Sequence, residues 1–470
     1  MSMKNVIIIG GGMTGLGAAW RLSEEGFHVK VLEADNNVGG LAKSVKVGNQ
    51  ILDMGPHSFF SEDKEVLKKV LELFEGEDSN IQYSRDRKMK LVFKGKYIDY
   101  PLSLKSIFQL GFFAPIFSFL SFSKSFLKMY FFPPKKNENL GEDDSIETWS
   151  TNNFGKYLYK NFFKPYSEQF WKMDTSELSY RVIPNRSKKI DFASTLKHLL
   201  FKKYLDLAKR EPGELDLQER ESLPTYYPKD GFGEIANRIA KKIKKKNGEV
   251  LTNQKVIEVQ INDKKNFKIK TKDTDFESDY LISTIPINKM INLIEPKPDK
   301  SILDSLNNLK YLSLILVYIS TKKVNVLDCE YCYFVNRTYN RLSEMNFIRG
   351  NTDGKKDNLI IAEISCHHND ETWKLSNDEI FALCTKDLKK DKFLNRDEIL
   401  NFEIIKIESV YPIYRKDYKK HLENSNQYFS DTKNIFSSGR QGQFYYGDSD
   451  QMIRSGFDTA DKIINKKNKD

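Results

Sequence analysis

Cysteine is scarce: four in 470 residues are too few for a disulfide-stapled scaffold. They stand at Cys329, Cys332, Cys366 and Cys384, and the single Cys-x-x-Cys, CEYC, has no second ligand pair with which to close a zinc site. Six histidines occur without a His-Glu-x-x-His or any paired spacing, so no metal is expected. Concentrated charge is missing too. The net charge of +10 comes from 75 basic against 65 acidic residues spread along the chain, dense only in KKIKKKN and NKKNKD. A nucleic-acid footprint would gather charge on one face, so no nucleic acid is expected, although the basic balance favours an anionic small molecule. No internal repeat is evident, and no apolar run is long enough to span a bilayer uninterrupted. The first strand follows the start so closely that no secretory leader is expected, and a cytoplasmic location is the default.

What is present begins at IIIGGGMTGLGAA. Val6 to Ile9 reads as a strand, and Gly10, Gly12 and Gly15 fill the three positions of G-x-G-x-x-G ahead of a small-residue helix. A strand, a tight turn and a helix start aim unpaired amides and the positive helix end at one point, which suits a pyrophosphate. A second strand, His28 to Leu32, ends at Glu33, where an acidic side chain would accept hydrogen bonds from a ribose. The next stretch, NNVGGLAKS, puts Gly39 and Gly40 where a second bare loop could pass over the same phosphates, with Leu41 following and Ser44 as a hydrogen-bond donor.

Patterning divides the rest. Residues 141–205 read as aromatic-rich helices, and 231–286 as a helix, several strands and a closing strand. LSLILVYIS and NLIIAEIS read as strands of a substrate-site floor, and Ile435 to Ser438 as a last strand leading through Gly439 and Arg440 to a helix beginning near Asp448. The expected organisation is a nucleotide-binding part at 1–100, a helical cap at 101–225, a second nucleotide-binding part at 226–300, a sheet at 301–425 and a closing strand and helix at 426–470. The expected fold class is α/β, a Rossmann-like dinucleotide domain with a helical segment and an antiparallel-sheet substrate domain. Residues 106–134, SIFQLGFFAPIFSFLSFSKSFLKMYFFPP, are interrupted by Pro115. Phe112, Phe113, Phe117, Phe119, Leu120 and Phe122 are expected to form the apolar face of core or pocket-lining helices, with weak association at a membrane interface as the alternative.

The glycine pair after the second strand resembles the flavoproteins of the amine oxidase and protoporphyrinogen oxidase superfamily, whose fold is of the glutathione-reductase type. That resemblance implies FAD as cofactor, although Leu41 stands where many members have an arginine. It also implies that the Val256 backbone lies beside adenine and that Gly439, Arg440, Asp448 and the backbone around Met452 meet the flavin.

In motif order the chain is most similar to the UDP-galactopyranose mutases. MGPHSFFSED resembles their flavin-proximal histidine loop and maps to His57; FKGKYIDYPL resembles the hairpin that follows. FGKYLYKNFFKPYSEQFWKMDTSEL is similar to a helical substrate segment and implies Tyr166 and Trp171. TYNRLSEMNF resembles the segment of a diphosphate-binding arginine and implies Arg341. RVIPNR, with one residue added to the usual pattern, gives Arg186, and GRQGQFYYGDSDQMI resembles the closing motif and adds Tyr446. The resemblance implies an enzyme of surface-glycan biosynthesis in which a reduced flavin acts on a nucleotide sugar. Two readings stand beside it: an oxidised flavin taking hydride from a saturated bond in an apolar cavity, and a flavin-binding scaffold without turnover. The redox readings imply an external electron donor or acceptor.

Overall fold

The computed structural model describes residues 4–76, 80–84, 88–93, 95–100, 108–109, 113–131, 144–183, 223–262, 266–350 and 357–467. The chain divides into two units, residues 1–83, 225–310 and 418–470 forming one and residues 84–224 and 311–417 the other.

The first unit is built around the strand Asn5–Ile9, in which Val6 to Ile9 are all buried. A run of β-branched residues with no polar alternation suits a strand covered on both faces. It pairs in parallel with His28–Leu32 on one side and Tyr280–Ser283 on the other, and Glu249–Leu251 and Ile435–Ser437 complete a five-stranded sheet. The direction of winding reverses at Asn5–Ile9, the kind of switch point where open α/β sheets bind ligands beyond their carboxyl ends. The helices Met13–Glu24 and Ser449–Lys467 pack together, Trp20 meeting Phe457 edge to face with ring centroids 5.7 Å apart. A second sheet, the meander Val256–Ile261, Phe267–Thr271 and Asp275–Ser278, is extended by Ile294–Glu295.

The second unit carries a seven-stranded sheet. In spatial order its strands are Ile399–Pro412, Tyr311–Thr321, Asn358–Cys366, Arg341–Glu344, Tyr331–Phe334, Met89–Phe93 and Lys96–Tyr100. All neighbours are antiparallel except Tyr331–Phe334 beside Met89–Phe93. Every residue of Tyr311–Thr321 is buried, so both faces are covered. One face packs Ile380, Phe381, Cys384 and Leu388 of the helix Asn377–Lys390, and all four cysteines are buried and unbridged.

Residues 84–100, 301–310 and 418–425 fall on the other side of the unit boundaries from the sequence-based division. The reason is local pairing: the Met89–Tyr100 hairpin hydrogen-bonds into the seven-stranded sheet, and Lys300–Asn307 packs on Tyr418–Asp431 within the first unit.

The Phe-rich segment departs from the core or pocket-lining role. Phe112 lies outside the described residues. Phe113, just before the helix Ala114–Phe131, and Phe117, Phe119 and Leu120 within it are exposed, and only Phe122 among the named residues described is half-buried. The cause is a close backbone approach. Gly155, at φ +82° inside Ile146–Leu158, has Phe122 N 2.7 Å and Ser121 C 2.8 Å from where a Cβ would sit. Small side chains must therefore line that contact, and the large ones turn away. Among the described residues no helix is long and apolar enough to cross a membrane.

Candidate functional site

In the first unit the glycine turn has the geometry of an anion cradle. Gly10 adopts φ +103°, and a Cβ on Gly15 would lie 2.0 Å from the Gly10 carbonyl oxygen, so the helix can follow the strand this tightly only without one. The helix then starts at Met13 with no side-chain cap and no acid in its first turn. A helix start of this kind suits an external anion. The second bare loop lies against this turn: Gly39 N donates to Gly11 O at 2.7 Å, and Gly12 and Gly39 form a parallel bridge.

Glu33 binds both sides of the same place. Its Oε2 accepts from Gly11 N at 2.7 Å and its Oε1 from Asp35 N at 2.9 Å. Its carbonyl accepts from Gln254 N at 2.8 Å, which ties the residues just before Val256 to the acid. Gln254, two residues before Val256, is thereby tied to the same acid that meets the glycine turn.

Ser44 is used differently from the sequence expectation of a phosphate donor. Its hydroxyl donates to Asp53 Oδ1 at 2.5 Å and accepts from Gly233 N at 2.7 Å. Asp53 is fully buried and also accepts from Tyr227 Oη at 2.7 Å and Phe232 N at 3.0 Å. Three donors offset the cost of burying this carboxylate and lock the second bare loop to the start of the helix Glu234–Lys245. Asp53→Ala is expected to strand those donors and lower stability by about 3 kcal/mol, read from the denaturant midpoint. An unchanged midpoint would show that the lock holds nothing.

His57 follows this network. The Gly55 carbonyl, 3.1 Å from Nδ1, can only accept, which places the ring hydrogen on Nδ1. The ring stacks on Phe232 at 5.0 Å between centroids. At the closing element the strand Ile435–Ser437 leads to a short helix, Gly439–Gly442, that the sequence pattern did not reveal, and Asp448 precedes Ser449–Lys467. Arg440 N contacts Met452 Sδ at 2.9 Å, and its guanidinium lies 4.7 Å over the Tyr446 ring. Arg440, Tyr446 and Met452 thus form one group, with the Asp448 carbonyl accepting from Met452 N at 3.0 Å.

In the second unit Arg341 opens the strand Arg341–Glu344 and forms a two-pronged pair with Glu363 opposite it. Nε and Nη2 donate to Oε1 at 3.0 and 2.7 Å, and Nη2 to Oε2 at 2.9 Å. Glu363 is 2% exposed. Burial pushes the Arg341 guanidinium down, but the Glu363 charge outweighs it and holds the group well above its ordinary value. The guanidinium also lies 5.2 Å from the Tyr331 ring and 5.9 Å from that of Tyr333. Tyr166 meets Tyr333 edge to face at 6.2 Å, while Phe170 links Trp171 and Tyr411. Arg341, Tyr166 and Trp171 therefore belong to one aromatic cluster around a paired cation. Arg186 lies outside the described residues.

Sequence reasoning missed Glu363, Tyr331, Tyr333 and Tyr411. A signal existed for Glu363: it is the one charge in NLIIAEIS, and a carboxylate inside a buried strand demands a cation. Asp53 carried no comparable mark. Among the described residues no group of three or more metal-ligating side chains gathers.

The sequence profile of a family described as flavin containing amine oxidoreductase matches residues 13–420. A Klebsiella pneumoniae protein named as a UDP-galactopyranose mutase is 26% identical over 186 residues, which are 39% of this chain and 45% of that protein. Coproporphyrinogen III oxidase of Propionibacterium freudenreichii is 31% identical over 100 residues, 21% of this chain and 19% of the oxidase. The chain thus matches less than half the length of either relative. The crystal structure of reduced UDP-galactopyranose mutase superposes with a TM-score of 0.80 at 20% identity, covering 99% of this chain and 94% of that one. A putrescine oxidase triple mutant superposes at 0.65 with 15% identity, covering 99% of each chain. These two likenesses concern the fold. The bare cradle at Gly10 to Gly15 and the acid at Glu33 fit a dinucleotide, and the match across residues 13–420 makes that dinucleotide FAD: the chain belongs to the flavin containing amine oxidoreductase family.

Proposed function

We propose that this flavoenzyme acts on an anionic nucleotide sugar. The observation that carries the reading is the Arg341 cluster: a forked cation beside Tyr331 and Tyr333, with Tyr166 packed on the second ring. Guanidinium geometry suits diphosphate oxygens, and tyrosine faces suit a base or sugar ring. The similarity to a UDP-galactopyranose mutase over 39% of the chain supports the same substrate class. When bound, the flavin supplies the electron-rich or hydride-accepting centre. Gly10 to Gly15 and Glu33 would hold its dinucleotide portion, with His57, Arg440 and Asp448 the side chains assigned nearer its ring. Within the second unit Arg341 would grip substrate phosphate, and Tyr166 and Trp171 would shape the sugar pocket.

One observation favours a second reading. Glu363 already neutralises Arg341, and its surroundings are aromatic, which also suits hydride removal from a largely apolar substrate of the kind oxidised by porphyrinogen oxidases. The two separate in one experiment. Purified holoenzyme, oxidised and dithionite-reduced, is titrated with UDP and UDP-sugars while the visible flavin spectrum is followed. A saturable change with UDP alone is the expected result. Silence toward every nucleotide, with bleaching by a porphyrinogen or an amine, would replace the first reading by the second.

A further inference from the structure

The helix Ala114–Phe131 is built inside out. Ala114, Ser118, Ser121 and Ser125 recur on one side of it, and Ala114 and Ser118 are buried. On that side Ser121 Oγ accepts from Tyr157 N at 3.0 Å, and the backbone at Phe122 runs against Gly155. The opposite side carries Ile116, Phe119, Leu120 and Leu127, which are 52%, 63%, 59% and 52% exposed, with Lys124 among them. A helix docked on a water-soluble body turns its large apolar side chains inward and its serines outward. Here small residues make the helix–helix contact and large apolar ones face out, the arrangement that lipid rather than water favours.

Charge narrows the occupant. From Pro101 to Lys136 the sequence has lysines at 105, 124, 128, 135 and 136 and neither Asp nor Glu, in a chain with 65 acidic residues. A second copy meeting this face about a two-fold axis would set lysine against lysine, whereas an anionic lipid surface complements both the lysines and the apolar stripe.

We infer that the Ala114–Phe131 helix docks on an anionic membrane surface, lying along it rather than crossing it. Ile116, Phe119, Leu120 and Leu127 enter the acyl boundary, and Lys124 meets the headgroups.

The test is vesicle co-flotation of the full-length holoprotein, comparing phosphatidylcholine vesicles with ones in which about a third of the lipid is phosphatidylglycerol. The expected result is at least tenfold more protein floating with the anionic vesicles. The triple variant Ile116→Ser, Leu120→Ser, Leu127→Ser should lose at least tenfold in binding while keeping wild-type flavin content. Lys124→Glu alone should lose several-fold and remove part of the salt sensitivity. Equal flotation of the triple variant would overturn the inference. So would a wild-type protein that floats with neither vesicle but sediments as a dimer, with the triple variant monomeric.

Discussion

Gly15→Ala is expected to give a colourless protein. The added Cβ would sit 2.0 Å from the Gly10 carbonyl oxygen and 3.2 Å from Ile8 Cγ2, contacts relieved only by moving the helix start away from the first strand. That movement would re-aim the amides proposed to hold the FAD phosphates. Flavin content, measured as visible absorbance relative to protein absorbance, should fall to about one tenth of wild type or less. Gly26→Ala is the control. Gly26 has a left-handed backbone, at φ +73°, which Gly15 does not, but nothing lies within 4 Å of its Cβ position. That variant should lose about 1 kcal/mol from strain yet remain yellow. A fully flavinated Gly15→Ala protein would mean that the cradle is not where the dinucleotide binds.

Removing Arg341 alone should be severe for a reason unrelated to substrate. Arg341→Ala leaves Glu363 charged and 2% exposed, and breaking a buried pair from one side typically costs about 3–5 kcal/mol. The single variant therefore confounds binding with folding. The double variant Arg341→Met, Glu363→Met removes both charges while retaining bulk, and its denaturant midpoint is expected near that of wild type. UDP titration of this stable double variant isolates the binding role. If Arg341 holds diphosphate, affinity should fall by about tenfold to a hundredfold, the worth of one or two charged hydrogen bonds. Unchanged UDP affinity would make the pair purely structural and leave the nucleotide-sugar reading without its cation.

The two candidate regions differed in how far sequence could reveal them. Gly10 and Gly15 were legible because backbone needs there exclude most residue types, a positive φ at one and a contact too close for a Cβ at the other, and Glu33 because an acid stands at the end of the second strand. The seven-stranded sheet of the second unit was legible only as strands. Which rings surround Arg341 depends on cross-strand register, Tyr333 opposite Arg341 and Arg341 opposite Glu363, and a register joins residues distant in sequence. The Phe-rich helix was misread for a related reason. Its pattern was visible, but amphipathicity reveals only that a helix has two unlike faces, and the inward face was chosen by Gly155, which lies outside that helix.

The sheet that carries the glycine turn has a consequence for biosynthesis. Asn5–Ile9 leaves the ribosome some hundreds of residues before its parallel neighbour Tyr280–Ser283, and the outer strand Ile435–Ser437 emerges later still. Until then a strongly apolar edge waits unpaired, a template for mispairing that grows more dangerous as translation slows. Shielding this strand until its late partners arrive would protect the nascent polypeptide from mispairing.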